Sequence, residues 1–261
     1  MDKQSAARMR TALDNLAIVL CRPKFPENIG AAARVAHNMG ISRLHVVCNQ
    51  TLDGEKIRRM ATHNAAALID NMQVHRRLGD SLAPFARVIG TTTRHGRQRR
   101  LVRNPREMAQ LLVPQLTANK VALLFGPEDK GLSNDDLKYC QMTVTIPTAG
   151  FSSLNLAQAV AILCYELHFG LLESLACGPL HPEPKLAETR EIEGMYQHLE
   201  KTLCRIGFLQ PDKHDYWMRN IRQFLGRLEL RAKEVRLIRG LCRQFLWHEE
   251  KGGKSDRLKC P

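Results

Sequence analysis

The sequence predicts an α/β domain built on a mostly parallel sheet with helices on both faces, followed by a small α-helical bundle. Three observations carry this expectation. Short apolar runs alternate with segments of 3.6-residue periodicity through the first 175 residues, the pattern of strands crossed over by helices. Pro179, Pro182 and Pro184 then interrupt regular structure. Everything beyond them is helical and amphipathic.

The runs Leu16–Cys21, Leu44–Cys48, Arg87–Thr91, Val121–Phe125 and Met142–Ile146 read as strands. Between them, Glu27–Met39, Pro105–Leu116 and Leu154–Leu175 read as helices, so residues 1–175 form one domain of ordinary size. The segment ACGPLHPEPKLAE makes 176–190 a Pro-rich linker. In 191–261, amphipathic helices at Glu191–Ile206, Asp215–Leu228 and Arg231–Trp247 make a three-helix bundle, and KGGKSDRLKCP reads as a frayed basic tail.

Composition narrows the function. The 261 residues are 44% hydrophobic and 25% charged, as in a globular protein, and no apolar run approaches the ~18 residues of a membrane span. The N-terminal stretch carries acids and lacks a secretory apolar core, so the expected location is the cytoplasm, with no membrane partner. Eight cysteines stand singly, with no C-x-x-C and no Cys/His spacing of the zinc type, so they read as reduced, mostly buried thiols. His45 and Cys48 lie in an apolar strand and read as core, and no metal is expected.

A net charge of +13 and a pI near 9.7 point to a polyanion, first of all a nucleic acid. Distribution supports this, because residues 87–106 hold seven arginines and no acid. Arg94, Arg97, Arg99 and Arg100 in that run, and Arg219, Arg222, Arg236 and Arg239 on the C-terminal helices, are the candidate RNA contacts.

The usual nucleotide signatures are missing. The first strand runs into RPKFPENIGAAAR with no G-x-G-x-x-G, which argues against a dinucleotide site. In GPEDKGLS, Gly126 and Gly131 have P-loop spacing, but Leu132 stands where the phosphate-binding lysine must be. What remains are three strand-to-loop junctions, GTTTR, FGPEDKGL and IPTAGFSSLN. Ligands in open α/β sheets bind beyond the carboxyl ends of strands. Gly90, Gly126 and Gly150 there would let main chain approach a flat adenosine closely.

Three segments in order, NIGAAAR at 28–34, FGPEDKGLS at 125–133 and IPTAGFSSLNLAQAVAI at 146–162, make the chain resemble the SpoU branch of the SPOUT superfamily of RNA ribose methyltransferases. Within that branch the likeness runs past the linker, through HLEKTLCRIGFLQPDK and FLGRLELRAKEVRLIRGL, to the TrmJ-like tRNA methyltransferases. The resemblance implies a sheet whose C-terminal part is threaded into a trefoil knot by the helix from Leu154. It also implies a homodimer, S-adenosylmethionine as cofactor, and 2′-O-methylation of cytidine or uridine at nucleotide 32 in the tRNA anticodon stem-loop. Cofactor contacts would come from Thr91, Thr92, Thr93, Gly126, Ile146, Ser152, Ser153 and Leu154. Arg34, Asn28, Glu128, Ser153 and Asn155 would surround the reacting ribose. The third motif is one residue shorter than the family's IP-x-x-P-x-[FY]-SSLN pattern, a change within the cofactor loop.

Taken alone, Asn28 reads as a helix N-cap and Arg34 as a surface residue; beside the other motifs both read as functional. A guanidinium stays protonated in proteins and is a poor general base. Arg34 is therefore expected to organise substrate phosphate and stabilise a developing alkoxide, oriented by Asn28 and Glu128, and in the family's dimers it approaches the partner's cofactor. Two other readings stay open: an RNA-binding homologue without catalysis, and a SpoU-type enzyme acting on ribosomal RNA.

Overall fold

A computed structural model describes residues 3–93, 100–102, 104–150, 153–178 and 183–250. The chain divides into two compact units, Met1–Thr189 and Arg190–Pro261. In the first, the elements in order are α1 (Lys3–Asp14), β1 (Leu16–Cys21), α2 (Pro26–Asn38), β2 (Arg43–Val47), α3 (Gly54–Ala61), α4 (Ala66–Asp70), β3 (Gln73–His75), α5 (Leu78–Leu82), β4 (Arg87–Thr91), β5 (Arg100–Val102), α6 (Pro105–Leu112), β6 (Val121–Phe125), α7 (Asn134–Leu137), β7 (Met142–Val144) and α8 (Leu156–Cys177). The second unit holds α9 (Thr189–Arg205), α10 (His214–Leu225) and α11 (Ala232–Glu250).

The strands form one parallel sheet in the order β3-β2-β1-β6-β4-β7-β5. Every residue of β1 is buried, because helices cover both faces as a parallel sheet requires. Leu16, Ile18 and Leu20 join the core beneath α2, α6 and α8, whereas Ala17, Val19 and Cys21 join the opposite core with Leu82, Phe85 and Leu137. β7 is the last strand in the chain, yet it lies between the earlier β4 and β5.

The small residues of NIGAAAR have a packing explanation. Pro26 presets the first turn of α2, and Ile29, Gly30, Ala32, Ala33 and Ala36 form its buried face. At Gly30 a Cβ would stand 2.1 Å from the Ile57 carbonyl of α3, so only glycine allows the two helices to approach this closely. Arg34 lies on the exposed side.

Two expectations need correction. The helix α8 spans 22 residues and is long and apolar enough by composition to cross a membrane, although no apolar run of that length was anticipated. Here it is a core helix: Leu156, Val160, Leu163, Cys164, Leu167 and Leu171 face the sheet, and it packs on α2 and α6. Nor is the proline-rich segment wholly a free linker. Asn119 donates to the Pro184 carbonyl at 3.0 Å and accepts from the Leu186 amide at 2.8 Å. Thr189 donates to the Phe85 carbonyl through its amide at 2.8 Å and its hydroxyl at 2.7 Å. Prolines break the helix, but buried Leu186 and Ala187 tie this stretch to the first unit.

His45 is a core residue, as read. It is 4% exposed, stacks on His75 at 5.3 Å, meets the edge of Phe85 at 5.4 Å and faces the Ser81 hydroxyl at 3.4 Å. Burial first, then the charges of His75 and Arg43, push its pKa down to about 4. Because the ordinary value near 6.5 applies when unfolded, the unfolded chain binds the extra proton between these two pH values. Stability from neutral His45 is therefore complete above pH 6.5 and lost as pH falls toward 4, by roughly 3 kcal/mol. Melting curves across this window should fall more steeply for the wild type than for His45→Gln; parallel curves would contradict this.

Candidate active site

The site is set by strand order. In the centre of the sheet β1, β6, β4 and β7 lie side by side, and their carboxyl ends are level: Leu20 pairs with Phe125, Gly90 with both Leu124 and Thr143, and Thr91 with Val144. The four following loops therefore emerge in one row. They carry Arg22–Phe25 leading into the first turn of α2, Thr92–Thr93, Gly126–Ser133, and Thr145–Gly150 with Ser153–Asn155, which brings parts of all three sequence motifs together.

A hydrogen-bond chain crosses these loops. The Glu128 carboxylate accepts from Asn28 Nδ2 at 2.7 Å and from the Lys24 amide at 2.9 Å, with Phe25 N at 3.5 Å. Asn28 Oδ1 accepts from Asn155 Nδ2 at 3.0 Å, and Asn155 Oδ1 accepts from the Ala157 amide at 2.9 Å. Both ends of the chain determine its polarity, since a main-chain N–H can only donate and an ionised carboxylate can only accept. Each asparagine thus has its oxygen committed and one N–H left over. Asn28 is buried and lies inside the first turn of α2, so it is not the N-cap; Phe25 occupies that position. Asn155 is the N-cap of α8, in a capping box with Gln158.

Asn28, Glu128 and Asn155 are thus brought together as expected, but Arg34 is not oriented by them. Six residues past Asn28, it projects about 120° around the helix axis from it. Among the described residues Arg34 makes no hydrogen bond or ion pair, and Ser153 is likewise exposed and unbonded.

Two further pairs brace the same loops, and the sequence reading did not find them. The Arg22 guanidinium pairs with Asp136, which is 4% exposed, and Lys24 Nζ lies 2.6 Å from Asp129. Burial alone would raise the Asp136 carboxyl, but the Arg22 guanidinium and hydrogen bonds from Ser133 outweigh it and hold the group below the ordinary carboxylate range. Ser133 and Asp136 form the capping box of α7. The S-x-x-D spacing was a visible signal for this box, whereas the distant Arg22 partner was not. Arg22 adopts φ 53°, a left-handed conformation that costs a non-glycine residue about 1–2 kcal/mol. Burial, and then Asp136, push the neighbouring Cys21 thiol up to about 12, which makes it an inert core group.

Of the expected cofactor residues, Thr91 ends β4, and Thr92, Thr93, Gly126, Ile146 and Leu154 lie on the loops at the carboxyl ends of β4, β6 and β7; Ser152 lies outside the described residues. Thr92 N donates to Val144 O at 3.0 Å and Thr145 Oγ1 to Thr92 O at 2.8 Å, which ties the β4 and β7 loops together. At Gly126 an added Cβ would stand 2.4 Å from both Gly131 C and Leu132 N. The GPEDKGLS loop therefore closes main chain on main chain at Gly126, a turn that no side chain there would allow. Gly90 differs from expectation: its missing Cβ would strike Cys140 Sγ at 2.8 Å, so it serves core packing. Gly150 faces open space.

Of the candidate RNA-binding arginines, Arg94, Arg97 and Arg99 lie outside the described residues, and Arg100 is described only as backbone in β5. Arg222 is engaged within its own unit. It makes a bidentate pair with Glu193 at 2.6 and 2.8 Å, and its guanidinium sits 4.2 Å over the Tyr196 ring. The Arg239 guanidinium lies over Gly194, 3.6 Å from where a Cβ would stand. Arg219 and Arg236 are exposed.

Comparison with known proteins gives a consistent set of relatives. Residues 15–165 match the SpoU rRNA Methylase family, and 190–255 match the C-terminal domain of tRNA methyltransferase TrmJ. The tRNA (cytidine/uridine/adenosine-2′-O-)-methyltransferase TrmJ of Pseudomonas aeruginosa (strain UCBPP-PA14) is 36% identical over 241 residues, covering 88% of this chain and 93% of that protein. The tRNA (cytidine/uridine-2′-O-)-methyltransferase TrmJ of Pectobacterium atrosepticum is 34% identical over 231 residues, covering 88% and 95%. Among solved structures, TrmJ from Z. mobilis ZM4 is similar with a TM-score of 0.74 and 30% identity over 88% of this chain and 98% of that one. A probable methylase family protein from Haemophilus influenzae Rd KW20 has a TM-score of 0.59 and 28% identity over 92% and 99%.

Proposed function

Because the chain belongs to the SpoU methylase family, and within it to the TrmJ group, we propose that it is an S-adenosylmethionine-dependent tRNA 2′-O-ribose methyltransferase acting on cytidine or uridine at nucleotide 32 of the anticodon loop. The observation that carries this reading is the Glu128–Asn28–Asn155 chain, which joins all three motif loops at the carboxyl ends of the central strands. The C-terminal unit, similar to a TrmJ domain, favours tRNA over ribosomal RNA as the substrate.

The loops at the carboxyl ends of β4, β6 and β7 fit the cofactor in kind, since Gly150 leaves main chain open to a flat ligand. Thr91, Thr92, Thr93, Gly126, Ile146, Ser152, Ser153 and Leu154 would hold its adenosine and methionine parts. S-adenosylmethionine supplies a methyl group activated by a sulfonium centre. The protein's own part is alignment and proton handling. Glu128 holds the Asn28 amide, Asn28 holds that of Asn155, and each presents its remaining N–H toward ribose oxygens. Alignment of this kind lowers the barrier by several kcal/mol. Arg34, without a partner among the described residues, engages the substrate phosphate and the oxygen that loses its proton, and solvent or phosphate oxygen receives that proton.

The active unit is a homodimer in this reading, and α8 is the threaded element of the knot. Support for the dimer comes from α8, whose face away from the core carries Tyr165 at 50% exposure and Leu172 at 39%, with Phe169 stacked on Tyr165 at 6.0 Å. Arg94, Arg97, Arg99, Arg100, Arg219, Arg236 and Arg239 would neutralise tRNA phosphates, while Arg222 is held within the bundle by Glu193 and Tyr196. The test is methyl transfer to tRNA with nucleoside analysis: 2′-O-methylcytidine or 2′-O-methyluridine is expected, and methylation confined to a base or to ribosomal RNA would contradict it.

A further inference from the structure

We propose that Phe25 is a stacking platform for an unpaired nucleobase of the substrate RNA, directly beside the acceptor ribose. This rests on the functional reading above and adds a specificity residue to it. Phe25 is 55% exposed, although its main chain is among the most firmly held in the site. Its amide faces the Glu128 carboxylate, its carbonyl accepts from the Asn28 amide at 3.0 Å, and the preceding residue is tied twice, by Lys24 N to Glu128 and Lys24 Nζ to Asp129. Arg22, held in a left-handed conformation by its pair with buried Asp136, anchors the start of the loop.

The ring has no local structural reason to be there. It occupies the N-cap of α2, where Ser, Thr, Asp or Asn would satisfy a free amide, and it makes no cap hydrogen bond. It also belongs to neither buried core. An outward-facing aromatic ring on firmly held main chain, three residues from Asn28, is the arrangement by which proteins stack an unpaired base of single-stranded RNA. Stacking accepts any base, which suits an enzyme whose acceptor is the ribose.

The test uses full-length Phe25→Ala, Phe25→Leu and Phe25→Trp. Steady-state methyl transfer to tRNA should show KM for tRNA raised about tenfold in Phe25→Ala and Phe25→Leu, with cofactor affinity by calorimetry and melting temperature unchanged. Phe25→Trp should restore KM, and its fluorescence should be quenched by an anticodon stem-loop beyond the response of wild type, which carries only Trp217 and Trp247. An unchanged KM in Phe25→Ala, or rescue by leucine equal to that by tryptophan, would overturn the proposal. So would dissociation of the dimer by Phe25→Ala in sedimentation, since the ring would then pack on a second copy. If wild type transfers no methyl to tRNA, the functional reading fails by itself; the stack is then judged by the Phe25→Trp titration, where absent quenching overturns it.

Discussion

Arg34→Ala is expected to lower methyl transfer to tRNA by about a thousandfold, the scale of losing a group that stabilises developing charge, while S-adenosylmethionine affinity stays within about twofold by calorimetry. The structure supports this separation. Arg34 is exposed on α2, and among the described residues it has no partner that its removal would strand. The buried face of α2 is built from Ile29, Gly30, Ala32, Ala33 and Ala36, so the fold does not depend on this side chain. Arg34→Lys should recover only a small part of the activity, because an ammonium cannot reproduce a two-pronged guanidinium contact. Loss of cofactor binding in Arg34→Ala would place the residue in the wrong half of the reaction.

Gly126→Ala should have the second largest effect, a loss of cofactor affinity of about a hundredfold or more. A single methyl there would stand 2.4 Å from two main-chain atoms of the same loop, and main chain cannot step aside as a flexible side chain can. The GPEDKGLS loop must then open, which moves Glu128 and breaks its bonds to Asn28 and Lys24. A bulky residue is unnecessary, because the collision begins at Cβ. The α/β core should persist, since β6 ends at Phe125 and its pairing is unaffected. Circular dichroism and calorimetry on the same sample would separate the two effects, and cofactor affinity like that of wild type would show that the loop does not line the site.

Much of the fold was legible because long, strongly patterned elements carry their own signal. β1, β4 and β6 coincide with their apolar runs, and α2, α6 and α8 lie on the predicted helical segments. The short elements were not legible. β3 and β5 have three residues each at the two edges of the sheet, and Gln73 and Val74 are exposed, so they carry no apolar run to read. The helices α3, α4, α5 and α7, of four to eight residues, fall below the length at which periodicity is informative.

The site divides in the same way. NIGAAAR displayed Asn28 and Arg34, and the motifs displayed Glu128 and Asn155, but nothing local says that Asn28 and Glu128 are bonded across 100 residues. That contact depends on β1 lying beside β6, which only the completed sheet provides. Arg22 and Asp136 were missed for the same reason, since neither belongs to a recognisable pattern without the other. Arg222 shows the converse limit. Its arginine-rich helix suggested phosphate binding, whereas Glu193 and Tyr196, one helix earlier, hold the guanidinium within the bundle.

The central claim is that a ribose hydroxyl in tRNA accepts the methyl group, and it can be tested on one atom. An anticodon stem-loop, or full tRNA, with 2′-deoxycytidine in place of cytidine at nucleotide 32 lacks only the proposed acceptor. With labelled S-adenosylmethionine and the full-length chain, the unmodified RNA should incorporate label as 2′-O-methylcytidine, and the deoxy-substituted RNA should incorporate none while still competing for binding. Equal incorporation into both RNAs would contradict the account.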